Sequence, residues 1–384
     1  MTERAERGHA AGACINSGPW DLGALSRPPK VDWVTTDGTV RSLYYSGEPY
    51  QGKPTRVFAY YGVPANHEGR APAMVLVHGG GGKAFPEWAE MWAKRGYASL
   101  AMDLSGIGPD GTRHADGMPD QGHDDKFMTL ANGIEETWPY HAVAAVIRGV
   151  SMLAAQPEVD GDRIGVTGIS WGGYLTCIVA GLDRRLKLAV PVYGCGYLLD
   201  NSAWVDILNG LPGAERALWM DNFDPSVYLP QATMPMLWIN GTNDGAYPLD
   251  SYQKSYRTPP GARSLCVTVR MPHGHEAGWS PVEIGLFADQ HLCGGTPLPR
   301  LGSPVIRDGV IQASVEAPVA VGKAALHYTT DTTAWSDREW ESSPAEVNGA
   351  TVRVTLPDTR PLVAFLTVTD RRGATVSTEH EVLR

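Results

Sequence analysis

The sequence predicts an α/β fold, a mostly parallel sheet flanked by helices, followed by a small all-β sandwich domain. Three observations predict it. Continuous apolar runs at 73–77, 97–102, 188–193 and 236–239 have the character of strands buried on both faces of a parallel sheet. They alternate with helical stretches at 88–94, 142–155 and 281–292, which act as crossovers between parallel strands. After residue 292 the composition changes: Cys293-Gly294-Gly295-Thr296-Pro297-Leu298-Pro299 reads as a linker. Short alternating runs follow at 310–315, 324–328, 351–356 and 362–368, with turns at Pro357-Asp358 and Arg372-Gly373, the spacing of a sandwich. The organisation expected is an N-terminal arm (1–29), an α/β domain (30–293) and a C-terminal β domain (305–384).

In chain order, residues 31–34, 40–45 and 55–61 are β-rich and separated by turn residues, so they form an antiparallel meander. The run at 73–77 ends in His78-Gly79-Gly80-Gly81-Gly82, and the run at 97–102 ends at Asp103. Residues 106–138 are polar and rich in Gly, Asp and His, and read as loop. Residues 196–230 form an insertion between two strands, carrying Trp204 and Trp219, long enough to lie over the sheet edge as a lid. A last strand is placed at 264–271.

The centre of this arrangement is Gly168-Ile169-Ser170-Trp171-Gly172, between a strand at 163–167 and a helix at 174–180. A serine held between strand and helix by small residues two places away is the nucleophile elbow. The N–H of Trp171 then faces the same space and can receive a developing oxyanion. A hydroxyl needs a base, and the base needs an acid to hold its tautomer. In such sheets the order is serine, acid, histidine. Asn240-Gly241-Thr242-Asn243-Asp244 follows one strand and Pro272-His273-Gly274-His275-Glu276 the next, so Asp244 is the expected acid, with Asp250 its competitor. His275 is the expected base, because the loop has left the strand end by then. His273 is the alternative base, or supports the site from behind. The second oxyanion donor is expected at Gly80, with Gly79 and Gly81 as neighbours.

Composition narrows the classes. A hydrophobic content of 43% with 19% charged residues fits a globular chain, and a formal charge of −10 argues against a nucleic-acid partner. Cys14, Cys177, Cys195, Cys266 and Cys293 lack ligand spacing, so no disulfide framework, metal site or cofactor is expected. His114, His123, Asp124 and Asp125 match no closed metal loop. Glu135 and Glu136 suit a helix start, Trp138 is a candidate pocket wall, Cys195 a packing residue and Lys83 a surface lysine. No apolar stretch suggests a leader or a membrane span, so a cytoplasmic chain with no membrane partner is expected. A homo-oligomer is compatible with all of this.

On His78-Gly79-Gly80-Gly81, Asp103, Gly168-Ile169-Ser170-Trp171-Gly172, Asp244 and His275-Glu276, the chain resembles α/β-hydrolases of the dienelactone hydrolase and acetyl xylan esterase type. The resemblance covers about residues 50–292. It implies the α/β-hydrolase fold and a serine esterase acting through an acyl-enzyme, with acetyl esters, carbohydrate ones included, as first substrates. The His-Glu pair of the deacetylases supports His275. Here Ala277 follows where glycine is usual, dienelactone hydrolases carry cysteine in place of Ser170, and the C-terminal β domain lies outside the compact deacetylase pattern. A prolyl oligopeptidase-like peptidase is the alternative, although the roughly 70 residues before His78 cannot build a propeller. A binding protein on a retired hydrolase scaffold is the alternative of another class.

Overall fold

The structure is a computed structural model and describes residues 16–65 and 68–384. Nine strands form one sheet: β1 (Val31–Thr35), β2 (Val40–Ser46), β3 (Arg56–Gly62), β4 (Ala71–Val77), β5 (Ala98–Met102), β6 (Val159–Ile169), β7 (Leu186–Val192), β8 (Met236–Gly241) and β9 (Arg263–Thr268). Their spatial order is β1-β2-β3-β5-β4-β6-β7-β8-β9. The meander β1–β3 joins β5 antiparallel, and everything from β5 onward runs parallel. This is the α/β-hydrolase fold. Every residue of β4 and β5 is buried, which explains why their sequences show no alternation.

The register sets the functional edge. Val77 lies opposite Met102 on one side and Gly168 on the other. The strands therefore end level, and His78, Asp103 and Ser170 emerge along one rim. The chain order reverses at β4, the place where open α/β sheets form their crevice.

The helices Pro86–Lys94, Trp138–Ala154, Trp171–Leu182, Leu249–Arg257 and Val282–Leu292 cover the sheet. Trp138–Ala154 begins a turn earlier than its periodicity indicates, since Pro139 is tolerated in the first turn of a helix. The polar stretch 106–138 is more ordered than a loop: it contains the helix His123–Phe127 and two short 3-10 turns, Leu130–Asn132 and Ile134–Glu136. The arm expected over 1–29 lies outside the described residues up to 15. Beyond that it is anchored, with Trp20 buried against Tyr140, Phe223 and Tyr228. Among the described residues no helix is long and apolar enough to cross a membrane.

Residues from Arg300 onward form two five-stranded sheets, antiparallel throughout. Ile311, Ala313 and Val315 of one share a core with Leu362, Ala364, Leu366 and Val368 of the other. The strand Leu362–Asp370 is buried on both faces, because its alternate side, at Phe365, packs against Leu249 and Val267 of the α/β domain.

Candidate active site

The elbow is built by close backbone approach. A Cβ at Gly168 would lie 2.1 Å from the Gly172 carbonyl oxygen, and one at Gly172 would lie 2.0 Å from that of Val77. Glycine at both positions lets the helix Trp171–Leu182 start directly against β4 and β6. Ser170 itself sits at φ 58°, ψ −117°, a conformation L-residues seldom adopt, with a strain of about 1–3 kcal/mol. Its N–H donates to the Val192 carbonyl at 2.8 Å and its carbonyl accepts from Tyr174 N–H at 2.9 Å. Among the described residues its hydroxyl has no hydrogen-bond partner.

The acid loop follows β8. Asp244 Oδ1 accepts from the N–H groups of Ala246 (2.9 Å) and Tyr247 (2.8 Å). Oδ2 accepts from His273 Nδ1 at 2.7 Å. This fixes the imidazole tautomer: the proton is on Nδ1 and the lone pair of Nε2 is left free. The Asp244 side chain is 1% exposed and that of His273 is 34% exposed, so the pair is dry at the carboxylate and open at the imidazole. Asp250 lies in the helix Leu249–Arg257 and accepts from Ser251 N–H and Asn201.

The expectation that Asp244 holds His275 is corrected here. The chain turns at Arg270, where φ is 52°, and brings His273 rather than His275 onto the carboxylate. His275 instead starts the short helix His275–Trp279 and accepts the Gly79 N–H on Nε2 at 3.0 Å. Its burial lowers its pKa, so it serves as a neutral acceptor. Phe85 packs on its ring at 4.9 Å.

The glycine loop is fixed from three sides. His78 is buried, donates from Nδ1 to the Gly79 carbonyl (2.7 Å) and accepts the Leu104 N–H on Nε2 (2.8 Å). Burial pushes its pKa down to about 4. His275 takes the Gly79 N–H, and Gln121 Oε1 takes that of Gly81 at 3.2 Å. The N–H groups of Gly80 and Trp171 have no acceptor among the described residues. The two residues adjoin, since a Cβ at Gly80 would lie 3.1 Å from Trp171 Cδ1. Gly79 lies against the nucleophile position: its Cβ would meet Ser170 Cβ at 2.9 Å.

Several residues at the site had no clear sequence signal. Tyr193 stacks on His273 (centroids 4.6 Å, 28° apart) and donates its hydroxyl to the carbonyls of Pro272 (3.1 Å) and Gly274 (3.2 Å). Its place immediately after the strand beside the elbow strand could have marked it. Lys126, inside the polar stretch 106–138, is buried over the rings of Trp171 (4.7 Å) and Trp138 (5.2 Å), and burial lowers its pKa to about 8. Trp138 is not a pocket wall: it is fully buried, donating to the Leu104 carbonyl. Of the insertion's tryptophans, Trp219 is core, and half-buried Trp204 packs on Trp171 at 4.5 Å. His114 pairs with Asp116, and Cys195 is buried.

The family model for acetyl xylan esterase (AXE1) matches residues 27–229, just over half of the chain. The acetyl esterase Axe7A of Xylanibacter ruminicola is 27% identical over 234 residues, 57% of this chain and 52% of that protein. The chain thus spans about half the length of the curated relatives it matches. The acetyl xylan esterase from Paenibacillus sp. R4 superposes with a TM-score of 0.57 at 23% identity, over 71% of this chain and 92% of that one. The acetyl xylan esterase 1 from Thermoanaerobacterium sp. JW/SL YS485 gives 0.57 at 20% identity, over 73% and 95%. These two likenesses speak for the fold. The chain belongs to the acetyl xylan esterase (AXE1) family.

Proposed function

We propose that this protein is a serine carboxylic-ester hydrolase whose nucleophile is Ser170, whose base is His273 and whose orienting acid is Asp244. The observation that carries it is the 2.7 Å bond from His273 Nδ1 to Asp244 Oδ2 on the rim where the strained Ser170 elbow ends. Ser170 Oγ attacks the ester carbonyl carbon while its proton passes to His273 Nε2, and Asp244 stabilises the imidazolium that results. The carbonyl oxygen, now an oxyanion, is received by the N–H groups of Trp171 and Gly80. Collapse breaks the bond to the alcohol, which takes the proton from His273 as it leaves. Water, deprotonated by His273, then attacks the acyl-serine and frees the acid and the hydroxyl. His275 acts through the glycine loop by holding the Gly79 amide.

Short acyl groups, acetyl first, are the substrate class that the family suggests, and acetylated carbohydrate is the natural first polymer to try. Half-buried Trp204 beside Trp171 supports a ring-lined approach to the serine. The test is release of 4-nitrophenol from its acetate, butyrate and octanoate, with acetate release from acetylated xylan run in parallel, for wild type and Ser170→Ala. Fast acetate turnover lost by about 10⁴-fold or more in the variant supports the reading. Equal turnover in both proteins overturns the choice of nucleophile. Activity on aminoacyl or peptide substrates with none on esters replaces it with the peptidase alternative.

A further inference from the structure

The C-terminal β domain does more than pack against the α/β domain. Its loop 334–340 touches the acid loop and the base loop together. Asn243, immediately before Asp244, donates its amide to the carbonyls of Arg338 (2.7 Å) and Ser336 (3.1 Å), with that of Trp335 also in reach at 3.3 Å. Its Oδ1 accepts the Thr242 hydroxyl at 2.7 Å, and Thr242 Oγ1 in turn accepts the Arg270 N–H at 2.9 Å. Arg270, three residues before His273, pairs through its guanidinium with Glu339 of the same β-domain loop. Ser336 closes over the acid loop: a Cβ at Gly245 would sit 3.4 Å from its Cβ. One unbroken chain of polar contacts therefore runs from the β domain through Asn243 and Thr242 to the start of the base loop.

The clamp is itself fixed. Arg338 lies over the Trp335 ring at 3.8 Å, and Trp335 rests on His380 at 5.5 Å. Trp335 and Trp340 pack on a small core of Leu249, Val267 and Phe365, drawn from both domains. Glu339 N–H donates to Asp331. From the sheet side, Asn240 holds the acid loop by donating to the Tyr247 carbonyl at 2.9 Å. The loop bearing Asp244 is thus gripped from the sheet by one asparagine and from the β domain by another.

We propose that the β-domain loop 334–340 sets the register of Asp244 against His273, with Asn243 and Arg270 as positioning residues. The proposal rests on the reading of Asp244 and His273 as acid and base. The two amide protons of Asn243 serve the carbonyls of Arg338 and Ser336, and removing them frees the loop; displacements on the order of 1 Å at such a pair cost about a hundredfold in rate. Asn243 and Arg270 spend their polar side-chain atoms on the β-domain loop and on Thr242, so the loss is expected on kcat.

The experiment uses the full chain and 4-nitrophenyl acetate. Asn243→Ala is expected to lower kcat by about tenfold to a hundredfold with KM within about twofold of wild type. The strongly downfield proton resonance of the His273–Asp244 hydrogen bond, identified by its loss in His273→Ala, is expected to weaken or broaden. Arg353→Ala, which removes only an exposed ion pair with Glu346, keeps full kcat. Unchanged kcat and an unchanged resonance in Asn243→Ala, while Ser170→Ala and His273→Ala are dead, overturn the clamp and leave the active-site reading standing. If Asn243→Ala fails to fold, Asn243→Ser decides by the same split, since it stays neutral and polar but is too short to reach the carbonyls of loop 334–340. Wild-type activity in Ser170→Ala and His273→Ala sinks the reading beneath the proposal, a result distinct from any outcome at Asn243.

Discussion

Asp244 and His273 meet at 2.7 Å, and His275, only two residues farther along, gives its Nε2 to the Gly79 N–H instead. Two histidines in one loop thus take different work: one faces the carboxylate, the other the glycine loop. His273→Ala is expected to reduce kcat for 4-nitrophenyl acetate by about 10⁴-fold or more, as loss of a catalytic base does. His275→Ala leaves the pair intact and frees the Gly79 amide, so a loss on the order of tenfold to a hundredfold is expected, the range for a displaced positioning contact. The inverse ranking, with His275→Ala the dead variant, would return the base to His275.

The glycines around Ser170 differ in what they tolerate. A Cβ at Gly172 would be 2.0 Å from the Val77 carbonyl oxygen, backbone against backbone with no side chain able to yield. Gly172→Ala is expected to lose more than about 4 kcal/mol or fail to fold. Gly80 is exposed, and its nearest neighbour is Trp171 Cδ1 at 3.1 Å. Gly80→Ala keeps its N–H and is expected to fold within about 1 kcal/mol of wild type. Chemical denaturation of the two variants checks the contrast, and a Gly172→Ala protein of wild-type stability would contradict the geometry.

The elements built on continuous apolar runs were legible in the sequence. Residues 73–77, 188–193 and 236–239 announce β4, β7 and β8 because strands buried on both faces admit only apolar residues. The elbow was legible because Gly168 and Gly172 answer a local steric demand. The choice between His273 and His275 was not. Both are histidines in one loop, and their fates depend on the left-handed turn at Arg270 and on where Gly79 lies, 190 or more residues away. Asn243 was invisible for the same reason, and Tyr193 offered only its place after the strand beside the elbow strand. Their partners, the carbonyls of loop 334–340 and of Pro272 and Gly274, are supplied by tertiary folding. Polar loop 106–138 concealed buried Lys126, since composition alone does not reveal that two tryptophan faces wait for its side chain.

Stability should fall in mild acid. Burial, the leading cause in each case, lowers His78, His141 and His380 to about 4, from an ordinary value near 6.5 in the unfolded chain. Between those values the unfolded chain binds protons that the folded one refuses. The stability is intact above about 6.5 and is lost as pH falls toward 4, by up to about 3 kcal/mol per histidine. Asp103 acts in the opposite sense. Burial raises it to about 6, so the folded chain keeps a proton that the unfolded chain releases near 3.8, and stability declines as pH rises through that window. His327 is lowered to about 4 in the same way, whereas burial raises Asp125, Glu283 and Glu381 as it raises Asp103. The histidines carry the larger shifts, so urea midpoints should drop from pH 7 to 4.5. Asp103→Asn keeps an acceptor for the N–H groups of Ser105 and Ile107. It should exceed wild type at pH 7 by about 1–3 kcal/mol and match it near pH 4. A gap that stays constant with pH would show that Asp103 is ionised throughout.

Tyr193 offers the finest test of how His273 is held. Its ring lies along the imidazole, and its single hydroxyl is placed at 3.1 and 3.2 Å from the carbonyls on either side of that histidine. A phenol has one proton, so the two carbonyls share it, and the bond tethers both flanks of the base to the end of β7. Tyr193→Phe keeps the stack and removes the tether. The hydroxyl is worth about 1 kcal/mol as a neutral hydrogen bond, too little to unfold the protein. The consequence belongs to rate, because in the proposed mechanism the imidazole must hold its Nε2 toward Ser170 while Nδ1 stays on Asp244. A kcat loss of about tenfold with unchanged KM is expected for Tyr193→Phe, and a larger one for Tyr193→Ala, where the stacked wall also goes. Steady-state kinetics with 4-nitrophenyl acetate on both variants separates the tether from the stack. If Tyr193→Phe matches wild type and Tyr193→Ala does not, the ring alone positions the base.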